Sequence, residues 1–248
     1  SIYSYHDLAE EPSPFLLMDY AGPARFEPTT QKRGVGAHPH RGFETVTLVY
    51  AGGVSHRDTA GGGGTIGVGD VQWMTAASGL LHEEFHSPEF ARQGGPFEMV
   101  QLWVNLRARD KMAPPAYQGI TDAEIPRISL PQDAGIVRVI AGAYGGTCGA
   151  ARTFSPVNLW DLRLRGNRSL SLDVPGGHTT ALFVLNGSIR IGAQTVGAAE
   201  LAVIERDGTE LAFETLADSV VLLLGGEPLY EPIVGHAPFV MNTRAEIA

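Results

Sequence analysis

Apolar and polar residues alternate with a period of two through most of this chain, in short runs closed by glycine. Thr45-Val46-Thr47-Leu48-Val49-Tyr50, Val71-Gln72-Trp73-Met74-Thr75 and Leu159-Trp160-Asp161-Leu162-Arg163-Leu164 are rich in β-branched and aromatic side chains, the pattern of half-buried strands. Phe97 to Leu106 is apolar on both faces and reads as a long buried strand. Helical spacing is scarce, and Thr121-Asp122-Ala123-Glu124-Ile125 offers one short helix. In the first thirty residues Pro12, Pro14, Pro23 and Pro28 interrupt apolar pieces such as Phe15-Leu16-Leu17-Met18, which reads as an extended arm or edge strand.

The strand-turn-strand rhythm of Val46 to Val54 returns at Ala181 to Ile189, so the chain carries an internal echo. Aligning the two turns sets Pro175-Gly176-Gly177-His178 against His38-Pro39-His40, and the later copy lacks the second histidine. The expected fold is all-β: two tandem cupin-type β-barrels of the double-stranded β-helix kind, with few short helices and a metal in the first copy only. The expected units are residues 1–118, a linker at 119–135 with Pro126 and Pro131, and residues 136–248. The last segment is expected to fold back. Composition agrees: 31 glycines and 16 prolines suit many strands and tight turns, and 44% hydrophobic content supports a sizeable core.

Charge narrows the partners. Lys+Arg 18 against Asp+Glu 27 gives a net charge of -9, which speaks against a surface that neutralises nucleic-acid phosphates. No apolar run reaches the length of a membrane-spanning helix. Cys148 stands alone, so there is no internal disulfide, and no signal-peptide pattern opens the sequence given. The expected location is cytoplasmic, or nuclear in a eukaryotic cell.

The candidate chemistry lies in His38-Pro39-His40 and His82-Glu83-Glu84. Residues two apart on a strand share a face, so His38 and His40 project together from one strand and His82 and Glu84 from another. Four metal ligands can then converge. Three imidazoles and one carboxylate leave octahedral positions open and suit Fe(II), with Mn, Ni, Co, Cu and Zn as alternatives. Glu84 is also the candidate catalytic base. Ala60-Gly61-Gly62-Gly63-Gly64 is not a phosphate loop, since no Lys-Ser/Thr follows, and it reads as a flexible hairpin tip. His56 and His86 are weaker candidates for the pocket. Phe43, Trp73, Met74 and Trp103 are either pocket lining or core.

Taken together, His38 to Thr47, Gly69 to Ala76, Leu81 to Glu84, Gln101 to Leu106 and His236 to Thr243 resemble the pirin family of bicupins. The resemblance implies iron held by His38, His40, His82 and Glu84. Many cupins use the glutamate after the first histidine pair, here Glu44, as a ligand. The resemblance instead leaves Glu44 to steady Arg41 or a ligand histidine. It further implies a dioxygenase of the quercetin 2,3-cleaving type, taking O2 and a flavonol or related enol aromatic through its deprotonated hydroxyl. The alternative it carries is an iron-dependent, redox-sensitive regulator that binds transcription factors or metabolic enzymes without turnover.

Overall fold

In the computed structural model, residues 1–8 and 11–248 are described. The first unit contains β1 (Tyr3–Ser4), β2 (Phe15–Phe26), β3 (Gly34–His40), β4 (Phe43–Ala51), β5 (Val54–Asp58), β6 (Gly63–Ile66), β7 (Val71–Thr75), β8 (Leu80–His86), β9 (Gly95–Asn105) and β10 (Ala116–Ile120). A six-stranded sheet of order β1-β2-β9-β4-β7-β10 faces a four-stranded one of order β3-β8-β5-β6. Helix α1 (Pro88–Gln93), capped by Ser87, bridges β8 and β9.

The second unit contains β11 (Arg127–Ser129), β12 (Gly135–Ala141), β13 (Ala143–Tyr144), β14 (Thr147–Cys148), β15 (Val157–Leu164) and β16 (Arg168–Asp173). It continues with β17 (Thr179–Asn186), β18 (Ser188–Ile191), β19 (Gln194–Gly197), β20 (Glu200–Ile204), β21 (Glu210–Thr215) and β22 (Ser219–Gly226). Its sheets run β11-β12-β15-β22-β17-β20 and β16-β21-β18-β19. The chain ends in the hairpin β23 (Val234–His236) and β24 (Phe239–Met241) and a last turn, α2 (Arg244–Ile247).

The two units repeat one plan, because β2-β9-β4-β7 matches β15-β22-β17-β20 and β3-β8-β5-β6 matches β16-β21-β18-β19. This is the bicupin fold, all-β with short helices. Among the described residues each unit is a pair of open sheets, with no pairing that closes a continuous ring. The order also corrects the echo's register. β16 stands where β3 stands, so Leu170 and Leu172 occupy the level of the first histidine pair, and Pro175 to His178 form the following turn.

Burial explains why only one copy carries polar chemistry. The interior of the second unit is filled by Val137, Val139, Leu162, Leu170, Leu172, Ile189, Leu211 and Phe213, with no titratable group among them. The two large sheets pack back to back: Val46, Leu48, Trp73 and Leu102 of the first meet Leu159, Phe183, Leu222 and Leu224 of the second. That layer takes one face of β4, β7 and β9 and leaves their opposite face for the first unit's interior.

Two local expectations change. β2 is extended as expected but is built into the sheet: it pairs with β9 along its length, is covered on its outer side by β1 at Leu17 and Met18, buries Phe15, Leu16 and Met18, and takes Pro23 at a register break between Ala21 and Ala24. The short helix expected near residue 121 is a single 3-10 turn, Asp122–Glu124, with a capping box between Thr121 and Glu124. Among the described residues no helix is long and apolar enough to cross a membrane.

Candidate metal centre

Strands β3 and β8 are antiparallel neighbours, with His38 directly opposite His82. Alternation turns His38, His40 and His82 to the inside of the first unit, and a register break between Val35 and His38 brings the pair into place. Phe43 and Trp103 stack on each other at 4.3 Å and hold the His40 ring from below, at 5.1 and 5.2 Å.

The three rings converge through Nε2. His38 Nε2 lies 3.1 Å from His40 Nε2 and 2.9 Å from His82 Nε2. His38 Nδ1 meets the Gly36 carbonyl at 2.8 Å, and His40 Nδ1 meets the Pro238 carbonyl at 3.4 Å. A carbonyl only accepts, so both Nδ1 atoms carry the proton and both Nε2 atoms present lone pairs. Two lone pairs facing each other at 3.1 Å repel unless a cation sits between them. Ligands about 2.1 Å from one ion and at right angles lie about 3.0 Å apart, so the spacing fits a metal.

Burial keeps the His40 and His82 rings neutral. It lowers His40 to about 4, helped by the neighbouring His38 and partly opposed by the bond to Pro238. It lowers His82 to about 2, with further contributions from His40, His38 and His56. Protons therefore do not compete for the lone pairs at neutral pH.

Glu84 lies outside this triplet. Its Oε2 accepts from Gln101 Nε2 at 2.7 Å, and its Oε1 accepts from Gln72 Nε2 and, at 3.4 Å, from Thr47 Oγ1. It groups instead with His56 and His82 on the other side of the His82 ring. His56 is fully buried, with Nδ1 3.4 Å from His82 Nδ1 and 4.0 Å from Glu84 Oε1.

Thr47, Gln72 and Gln101 form one cross-strand row on β4, β7 and β9. Sequence reading missed the two glutamines; the available signal was an amide at an inward position within an otherwise apolar strand. Other candidates go elsewhere. Glu44 is on the opposite face of β4, takes a 2.7 Å hydrogen bond from Thr75 Oγ1, and contacts neither a ligand histidine nor Arg41. Arg41 instead donates to Glu246 O and Met112 Sδ. Trp73 belongs to the layer between the units. Phe43 and Met74 are fully buried and serve as packing, and only Trp103 is half-exposed. His86 sits among Phe26, Phe90 and Phe97, at 4.6 to 5.0 Å.

A duplicated double-sheet fold with a histidine cluster inside one copy defines a bicupin. Residues 2–104 match the Pirin family model and residues 159–248 match the Pirin C-terminal cupin domain. The chain belongs to the pirin family. It is 57% identical over 247 residues to a Pseudomonas aeruginosa protein named "Putative quercetin 2,3-dioxygenase", covering 100% of this chain and 86% of that one. It is 37% identical to human Pirin over 241 residues, 95% of this chain and 79% of the relative. A solved structure titled quercetin 2,3-dioxygenase from Acinetobacter baumannii superposes with a TM-score of 0.96 at 54% identity, covering 99% of this chain and 85% of that one.

Proposed function

We propose that this pirin-family chain is a dioxygenase that cleaves quercetin or a related flavonol or enol aromatic with O2, using Fe(II) held by His38, His40, His82 and Glu84. The observation that carries the metal is the facing pair of Nε2 lone pairs on His38 and His40, which the carbonyls of Gly36 and Pro238 enforce. The substrate class follows from the names of the similar proteins in Pseudomonas and Acinetobacter. Iron bound there supplies open coordination positions and the redox chemistry that O2 needs to react with an aromatic enolate.

The chain's own residues do the rest. Glu84 is the base that takes the proton from the substrate hydroxyl, and the amides of Gln72 and Gln101 hold and orient its carboxylate. Phe43 and Trp103 keep the His40 ring from turning. His38 is half-exposed while His40 and His82 are buried, so the substrate enters on the His38 side.

The test is oxygen uptake by iron-loaded protein on adding quercetin, with His82→Ala and Glu84→Gln as controls and elemental analysis of each preparation. Rapid uptake that needs iron and is lost in His82→Ala supports the reading. No uptake at full iron occupancy would overturn the enzyme and leave a non-catalytic metal protein.

A further inference from the structure

The glycine-rich tip between β5 and β6 is wrapped around one carboxylate. Asp58 Oδ1 accepts from the backbone N–H of Ala60 at 2.8 Å and of Gly62 at 2.9 Å. Its Oδ2 faces His56 Nε2 at 3.1 Å. The Asp58 side chain is 1% exposed and that of His56 is 0% exposed. A Cβ on Gly62 would collide with Asp58 Oδ2 and Tyr117 Cβ, so the wrap needs glycine there. The Tyr117 ring stacks on His56 at 4.9 Å and 18°, which fixes its plane.

These contacts point to one arrangement of the protons. Two backbone donors already occupy Asp58 Oδ1, and a carboxylate oxygen accepts, so the hydrogen bond between Asp58 Oδ2 and His56 Nε2 is donated by His56 Nε2–H. Its Nδ1 is then a lone pair, 3.4 Å from His82 Nδ1 and beyond hydrogen-bond reach of Glu84 at 4.0 Å. Only a protonated His82 Nδ1 completes that contact. The lone pair of His82 is thereby left on Nε2, the atom that faces His38.

We propose that Asp58 and His56 are positioning residues that set the tautomer and orientation of His82 for metal binding, with the Ala60–Gly64 tip serving to hold Asp58. His38 and His40 take their tautomers from backbone carbonyls, whereas His82 takes its own from this side-chain chain. The inference rests on the reading of His82 as a ligand, but its first test does not require metal.

Asp58→Asn is the discriminating variant. The N–H groups of Ala60 and Gly62 pin the amide oxygen where Oδ1 was, so the amide NH2 must face His56 Nε2. Every proton in the chain then shifts by one site: His56 becomes Nδ1–H, and His82 presents Nε2–H to the metal position. The experiment records histidine ring nitrogen shifts by two-bond 1H–15N correlation on labelled apo protein at pH 7.5. Ni(II) titration and apo melting temperature are measured on the same samples.

Wild type is expected to show His82 as Nδ1–H and His56 as Nε2–H. Asp58→Asn should show both reversed and bind Ni(II) about 10- to 100-fold more weakly, the usual cost of losing such an outer partner, with an apo melt close to wild type. A wild-type His82 in the Nε2–H form overturns the proposal, and so does an Asp58→Asn variant with unchanged tautomers or unchanged Ni(II) affinity. If wild type bound no Ni(II), the reading of His82 as a ligand would fail separately, and the ring shifts would still decide the proton chain.

Discussion

The ring of His40 and the carbonyl of Pro238 are joined by a hydrogen bond, Nδ1 to O at 3.4 Å, across 198 positions of the chain. The terminal hairpin therefore reaches a histidine of the candidate centre. It is fastened beside that histidine by Val240 N to Arg41 O at 3.0 Å and Arg41 Nη1 to Glu246 O at 2.9 Å. Beneath them the Lys111 ammonium is 1% exposed and donates to Gly42 O, Asn105 Oδ1 and Val240 O at 2.6, 2.6 and 2.9 Å.

Lys111→Met removes all three bonds and leaves three buried acceptors without a donor. Burial already lowers the lysine to about 8, the nearby Glu231 and Glu246 opposing the shift, so part of the loss is offset by no longer burying a cation. The expected net cost is about 2–3 kcal/mol, or about 5–10 °C in melting temperature. Ni(II) affinity should fall too, because the Pro238 carbonyl loses its anchor. A variant that melts lower yet binds Ni(II) as wild type does would separate the hairpin from the centre.

Glu44 gives the pH dependence its sign. Burial raises its carboxyl to about 7, against the opposing hydrogen bond from Thr75. An acid whose folded pKa lies above its unfolded one holds a proton in the native state that the unfolded chain has released. Stability from this group is therefore lost as pH rises from about 4.5 to about 7. Glu44→Gln should be more stable than wild type at pH 8, by roughly 3 kcal/mol at most, and the two should converge near pH 4.5. Denaturant melts across that range check it, and a gap that persists at pH 4.5 would contradict the assignment.

The histidines of β8 share a face but separate along the strand. His38→Ala or His82→Ala should abolish stoichiometric Ni(II) binding, since each leaves the lone pairs short of a partner. His86→Phe should bind one equivalent as wild type does and melt no lower, because His86 packs edge-on against Phe26 and its pKa is already lowered, first by burial and then by Arg33. Metal analysis after gel filtration reads all three. Loss of metal in His86→Phe would return that residue to the centre.

How much of this was legible follows from what a period of two can say. Alternation placed His38 with His40 and His82 with Glu84 on common faces; the same rule sets His56 and Asp58 together on either side of Arg57, a pairing that sequence reading missed. Alternation does not give register between strands. That is why Gln72 and Gln101, twenty-nine residues apart, were not seen to meet over Glu84, and why Glu44 was expected near Arg41 when it faces the other unit. The echo showed duplication because turns recur in sequence. It misplaced the register by a strand's end, since Leu170 and Leu172 carry no mark of the histidines whose level they occupy.

The contact between the two units supplies the last prediction. Arg138 on β12 crosses to the first unit, donating to Gly69 O at 2.5 Å and Asp122 Oδ1 at 2.6 Å, while its other nitrogen pairs with Asp161. Asp161 is 0% exposed at its side chain and also holds Arg163 Nη2 at 2.9 Å. One buried carboxylate thus pairs with two guanidinium groups, and removing it leaves Arg138, itself 6% exposed at its side chain, with the half-exposed Asp122 as its remaining carboxylate partner. Asp161→Ala is expected to cost about 3–5 kcal/mol. Asp161→Asn should cost less, because the amide oxygen still accepts. By contrast Arg190 and Glu214 form a pair exposed by 47% and 45%, and Arg190→Ala should change stability by less than about 1 kcal/mol. Urea unfolding of the three variants measures the ranking. Equal losses at the buried and the exposed pair would mean that Asp161 does not hold the units together through Arg138.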